Sequence, residues 1–171
     1  MCTVTSPASA GDALGMLESA LRMQQAALEF LAEMAAGDVP TATAAECLIV
    51  PEQSDAVGAA ARGQLLAAFD TQDGPVADGQ RTARTWLVHV TGVTRGQAAE
   101  HKAVQALAEG HRVLLAGLRQ RAVTKSVALQ LAKWTAAIAE EFRQQAEEIL
   151  VAAAQAGADL PALAAICAEI R

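Results

Sequence analysis

Asparagine and tyrosine are absent from this 171-residue chain, and aromatic residues make up only 3% of it. So few rings exclude a surface that binds single-stranded nucleic acid by stacking successive bases. The three cysteines, Cys2, Cys47 and Cys167, are odd in number and widely spaced. They form neither a disulfide framework nor a CxxC metal motif, and agree with a reducing, cytoplasmic setting. The opening MCTVTSPASAGD has no basic start and no apolar run, so no signal peptide is expected. The longest apolar stretches fall well short of a membrane span, and no membrane partner is expected. No glycine-rich phosphate loop and no serine nucleophile elbow occurs.

What is present is alanine, leucine, glutamine and glutamate, with few β-branched stretches of period two. These are strong helix formers, and the chain reads as all-α. A fold of this length buries roughly 70% of its unfolded surface, enough for a real core. The first helix is expected from about Asp12, as N-cap, to Ala36, with Gly37 as its stop. Leu14, Leu17, Leu21, Leu28 and Leu31 recur at three- and four-residue steps interrupted by Gln24, and Met16, Met23 and Phe30 widen that stripe. Two and a half heptads are too short to establish a coiled coil. After the loop Gly37-Asp38-Val39-Pro40, a second helical stretch covers about Ala42–Phe69, broken or kinked at Pro51. Leu65, Leu66 and Phe69 are expected to face the first helix, completing an antiparallel hairpin. Helices are expected at about Arg81–Thr91, Arg95–Ala108, His111–Arg119, Lys125–Ala137, Ala139–Gln155 and Leu160–Ile170. Thr94 with Gln97 reads as a capping box, Thr124 as a cap, and Asp159 precedes Pro161 in a first turn.

Charge divides the chain. Residues 1–78 carry two bases against eleven acids, residues 79–133 nine bases against two acids, and residues 134–171 two bases against six acids. Three regions are therefore expected: an acidic hairpin and connector over 1–78, a basic segment over 79–138, and C-terminal helices over 139–171 packing on the bundle. A basic segment in an acidic protein is one way to keep a local surface for a polyanion. Residues 81–94, RTARTWLVHVTGVT, end one helix at Gly92 and cap the next at Thr94. That is the grammar of a helix-turn-helix, whose second helix presents its N-terminal residues to the major groove. On that second helix Ala99, Ala103, Val104 and Leu107 share one side, expected to be core. Arg95, Ala98, His101, Lys102 and Gln105 share the other, with cations for phosphate and glutamine for a base edge. A second candidate surface is the helix opening at Thr124, with Lys125, Ser126, Gln130 and Lys133 on one face.

The same residues carry a resemblance. Asp78-Gly79-Gln80-Arg81-Thr82-Ala83-Arg84-Thr85-Trp86-Leu87, then Thr91-Gly92-Val93-Thr94-Arg95-Gly96-Gln97-Ala98, resembles the N-terminal domain of unknown function in HNH-endonuclease repeat-family proteins of high-GC bacteria. Leu118–Ala128 and Gly157–Leu163 resemble later steps of that domain, and the likeness covers roughly Ala42 to the C-terminus. Residues 91–132 also resemble the helical DNA-binding core of ParB-type partition proteins. Both resemblances imply nucleic acid, and the first implies a nuclease module that this chain does not contain.

An HNH site needs histidine and asparagine around a divalent metal, whereas this chain has only His89, His101 and His111 and no asparagine. Their spacing sets no two imidazoles on one helical face, so no metal or other cofactor is expected. His89 is expected half-buried, and His101 and His111 exposed. Glu140-Glu141 and Glu147-Glu148 lack Glu-x-x-His partners and read as a solvated face. Cys47 and Cys167 read as buried thiols, and Trp86 and Trp134 as core anchors. The leading expectation is a non-catalytic domain that binds double-stranded DNA. Arg95, Gln97, His101, Lys102 and Gln105 would contact the groove, and Arg81, Arg84, Arg119, Lys125 and Lys133 the phosphates. The alternative is a helical oligomerisation or protein-interaction module, with a homodimer through residues 12–70. A truncated remnant without activity is the third reading.

Overall fold

The structure, a computed structural model, describes residues 10–34, 37 and 39–170, with side chains from residue 15 onward. Expectations that fell on Cys2, on Ala35 and Ala36, on Asp38 and on Arg171 lie outside the described residues. The described residues form nine helices and no strand: α1 (Ala10–Glu33), α2 (Thr41–Thr71), α3 (Gly74–Ala77), α4 (Ala83–Thr91), α5 (Arg95–Gly110), α6 (Arg112–Arg119), α7 (Lys125–Thr135), α8 (Glu140–Gln155) and α9 (Leu160–Ile170). The all-α class is as expected. The chain divides into two compact units, one up to Glu46 and one from Cys47 onward.

In the first unit α1 begins before Asp12, which lies in its first turn rather than at its cap. From Gly15 to Glu33 every side chain of α1 is exposed. Met16, Leu17, Leu21, Met23, Leu28, Phe30 and Leu31 are between 38% and 71% exposed. Its polar side closes on itself through a Gln25–Glu29 hydrogen bond of 2.8 Å, one helical turn apart.

In the second unit the starts and stops follow local chemistry. Thr124 accepts from the Val127 amide to cap α7, and Asp159 accepts from the Ala162 amide at the start of α9. The helix α2 does not break at Pro51 but runs on to Thr71. Proline has no N–H to give the carbonyl four residues back, so one helical hydrogen bond is lost there, at an exposed position. The large core joins Ala56 and Ala60 of α2 to Leu107 of α5, Leu114, Leu115 and Leu118 of α6, Leu131 of α7, Leu150 of α8, and Leu163 and Cys167 of α9. Burying each such leucine contributes about 1.5–3 kcal/mol. A smaller core gathers Leu66, Ala83, Leu87 and Ala98, with Trp86 and Val93 against it.

Two expectations are corrected by these cores. Leu66 joins the small core and the Phe69 ring lies 4.7 Å from that of Trp86, so these two side chains serve the second unit, while Leu65 is exposed. The change of charge sign at residue 78 is not a packing boundary, because α2 shares one core with helices on its far side. Gly63 explains how closely α2 and α5 approach: a Cβ there would stand 2.7 Å from the Val104 carbonyl oxygen.

Candidate functional site

The ends of α4 and α5 follow local chemistry. Thr82 and Thr85 form a capping box at the start of α4, and Gly92 ends it with φ 70°, a conformation glycine adopts without penalty. Thr94 and Gln97 form the expected capping box of α5. Asp78, Trp86 and Leu87 have a structural role. Asp78 accepts the Trp86 indole N–H at 2.7 Å, and Leu87 lies in the small core.

The orientation of α5 differs from the expectation. Ala98, Val104, Gln105 and Leu107 are buried, while Ala99 and Ala103 are exposed. Gln105 is 1% exposed and donates to Asp70 at 3.0 Å and Glu109 at 2.7 Å, so it has no access to a base edge. Lys102 is paired with Asp70 at 2.9 Å. These bonds, Gln105 first and Lys102 second, hold the Asp70 carboxyl below its usual range. His101 is half-buried, and burial, with Arg62 as the next cause, lowers its pKa, which disfavours its charged form. Gln97 is exposed, with its side-chain oxygen committed to the Thr94 amide. The cause of the inversion is long-range: the polar stripe of α5 faces an acidic partner on α2 instead of water.

The phosphate-contact residues are also divided. Lys125 lies between Asp55 of α2 and Glu100 of α5, 2.9 Å from each, and these hydrogen bonds, Glu100 foremost, raise its pKa. Arg119 is exposed and donates to Gln64 at 2.6 Å. Lys133 is exposed beside a separate cleft that it lines with Glu100 and His111. Two arginines share a cleft, and a third meets one of them through its backbone carbonyl. Arg81 and Arg84 line a cleft of about 490 Å³ with Thr82, Lys102 and Asp70, and Arg84 reaches the Arg95 carbonyl at 3.4 Å. All three are exposed, and among the described residues none of them has a carboxylate partner.

The histidines and glutamates supply further corrections. His89 is exposed, whereas His111 is largely buried, its Nδ1 donating to Glu147 at 2.5 Å. Glu147 is 2% exposed and also accepts from the Thr135 hydroxyl at 3.2 Å, so it belongs to the interior and not to a solvated face. A buried carboxylate needs such partners because its desolvation is costly. Glu148, beside it, is exposed. Cys167 is buried as expected, while Cys47 is only half-buried. Among the described residues, no group of three or more His, Cys, Asp or Glu is placed to hold a metal ion, and no helix is long and apolar enough to cross a membrane. The largest departure from an ordinary surface is apolar: the stripe of α1, and, within the second unit, Leu48, Ile49 and Val50 on α2, each more than half exposed. Compared with protein-family models, with curated proteins and with solved structures, the chain matches none.

Proposed function

We propose that this chain is a non-catalytic helical interaction module, which docks through the apolar face of α1 while the second unit serves as its folded body. The observation that carries this reading is the exposure of seven large apolar side chains on one helix, from Met16 to Leu31. Contiguous apolar surface on that scale marks an interaction site rather than a solvated face. Helices in proteins owe most of their stability to a packed face, and α1 has no buried side chain from Gly15 to Glu33. The test is a photoreactive residue in place of Gln24, inside the stripe, or of Arg22, on the polar side, in cells making the full chain. A discrete adduct is expected from position 24 and none from position 22. No adduct from either position refutes the reading.

We propose a second reading, supported by the cleft that Arg81 and Arg84 line and by the exposed Arg95, whose backbone carbonyl Arg84 reaches. On it, the chain is the DNA-contacting helical domain of an HNH-endonuclease repeat protein, with α4 and α5 as its helix-turn-helix and the nuclease module elsewhere. The buried Gln105 and the paired Lys102 and Lys125 speak against base-edge reading by α5, so the contact would be to phosphates. Three phosphate contacts give a log–log salt slope of about −2.7 on duplex DNA. Fluorescence anisotropy should show that slope, and Arg81→Ala with Arg84→Ala should reduce it by about two contacts. Duplex affinity that is absent or indifferent to salt eliminates this reading.

A further inference from the structure

The apolar residues of α1 fall on a heptad lattice. Leu14, Leu21 and Leu28 occupy its a positions, and Leu17, Gln24 and Leu31 its d positions. Met16, Met23 and Phe30 then recur at c, and Ala20 and Ala27 at g. Around a helix these four positions are contiguous in the order c, g, d, a, giving an apolar arc of about 200°. The remaining positions e, b and f carry Glu18, Arg22, Gln25, Glu29 and Glu33, among which Gln25 and Glu29 are hydrogen-bonded to each other.

From this lattice we infer that α1 is covered by the α1 helices of other copies of this chain, in a bundle of more than two such helices. The inference rests on the interaction-module reading and names its partner. Three observations select a like helix as occupant. The first is area: seven side chains at these exposures present about 100 Å² each, roughly 700 Å² per copy, matching the ~800 Å² that each partner contributes to a stable interface. The second is Gln24, the single polar residue in the leucine seam. Its amide both donates and accepts, so it pairs with its own counterpart, and a lone polar seam residue is a device for fixing register and copy number. The third is charge. The g positions are uncharged, so copies meet along g and e without like-charge repulsion in either direction. The width of the arc sets the size of the assembly. Two helices cover only a and d with their immediate flanks, leaving Met16, Met23 and Phe30, the three most exposed side chains of the seven, in water.

Sedimentation equilibrium on the full chain over a wide concentration range tests this. The expected mass is three or four times that of the chain. Leu21→Glu with Leu28→Glu should return it to monomer while the thermal transition of the second unit, followed in dilute solution, stays unchanged. Met23→Ser with Phe30→Ser, on the outer line of the arc, should lower the mass to a dimer. Gln24→Leu should tighten association at least tenfold and broaden the distribution of masses. A parent chain that is monomeric or dimeric throughout overturns the inference, as does a mass unaffected by Leu21→Glu with Leu28→Glu. If the parent is monomeric while the position-24 crosslink yields an adduct with a different protein, the inference fails and the module reading stands. If it is monomeric and no adduct forms, both fail.

Discussion

The leucines of α1 and those of α6 repeat at similar three- and four-residue steps, yet α1 leaves Leu17, Leu21, Leu28 and Leu31 at 38–56% exposure and α6 buries Leu114, Leu115 and Leu118 to 7% or less. Periodicity alone therefore does not determine burial. The helix α6 has α5, α7 and α8 packed on it, so its apolar face is consumed within the chain. In the case of α1 the same chemistry is available for something outside. The difference separates residues that hold the fold together from residues that are free to make an interface.

The sharpest way to break this comparison is to perturb the interior of the second unit. His111→Ala leaves the Glu147 carboxylate buried without its nearest partner, and a loss of about 3–5 kcal/mol is expected by chemical denaturation. Leu114→Ala should cost about 2–5 kcal/mol, whereas Leu21→Ala on α1 should change the monomer by less than about 0.5 kcal/mol. Equal losses for the two leucines would erase the distinction between the helices. Gly63→Ala forces α2 away from the Val104 backbone, with an expected loss of about 1–3 kcal/mol in the same assay. Asp70→Asn should cost about 1 kcal/mol near neutral pH, a value kept small because the Lys102 pair is about one-third exposed. Because folding lowers the Asp70 pKa, its contribution is present above the ordinary carboxylate value and lost as pH falls through the lower, folded value. The stability curves of parent and Asp70→Asn should accordingly converge in acid. Last and smallest, Arg121 sits at φ 59° where the chain turns between α6 and α7, and Arg121→Gly should stabilise the second unit by up to about 1 kcal/mol.

The helix boundaries were legible because their causes are local. Thr94, Thr124 and Asp159 cap within three residues of themselves, and the observed Leu160–Ile170 coincides with its expected range. The short α3 was read only as a turn-rich connector, since four residues carry no periodicity. The inward face of α5 was not legible. Lys102 and Gln105 look like a solvated stripe until Asp70, more than thirty positions earlier in the chain, is brought against them. Glu147 was misjudged for the same reason, as its partner His111 lies 36 positions away. The signal that was available is the charge asymmetry itself: an acidic α2 and the basic segment over residues 79–133 are complementary to one another. That complementarity is spent inside the fold, at Lys102 and Lys125, whereas Arg81 and Arg84 share a cleft and, among the described residues, have no carboxylate partner.

The two tryptophans sit against different cores, Trp86 on the small one and Trp134 on the large one. Each is thus a built-in fluorophore for its own cluster. Replacing one by phenylalanine leaves an emission signal that reports the other alone. If the α4 region opens before the leucine core melts, the two single-tryptophan proteins will display non-coincident denaturation midpoints.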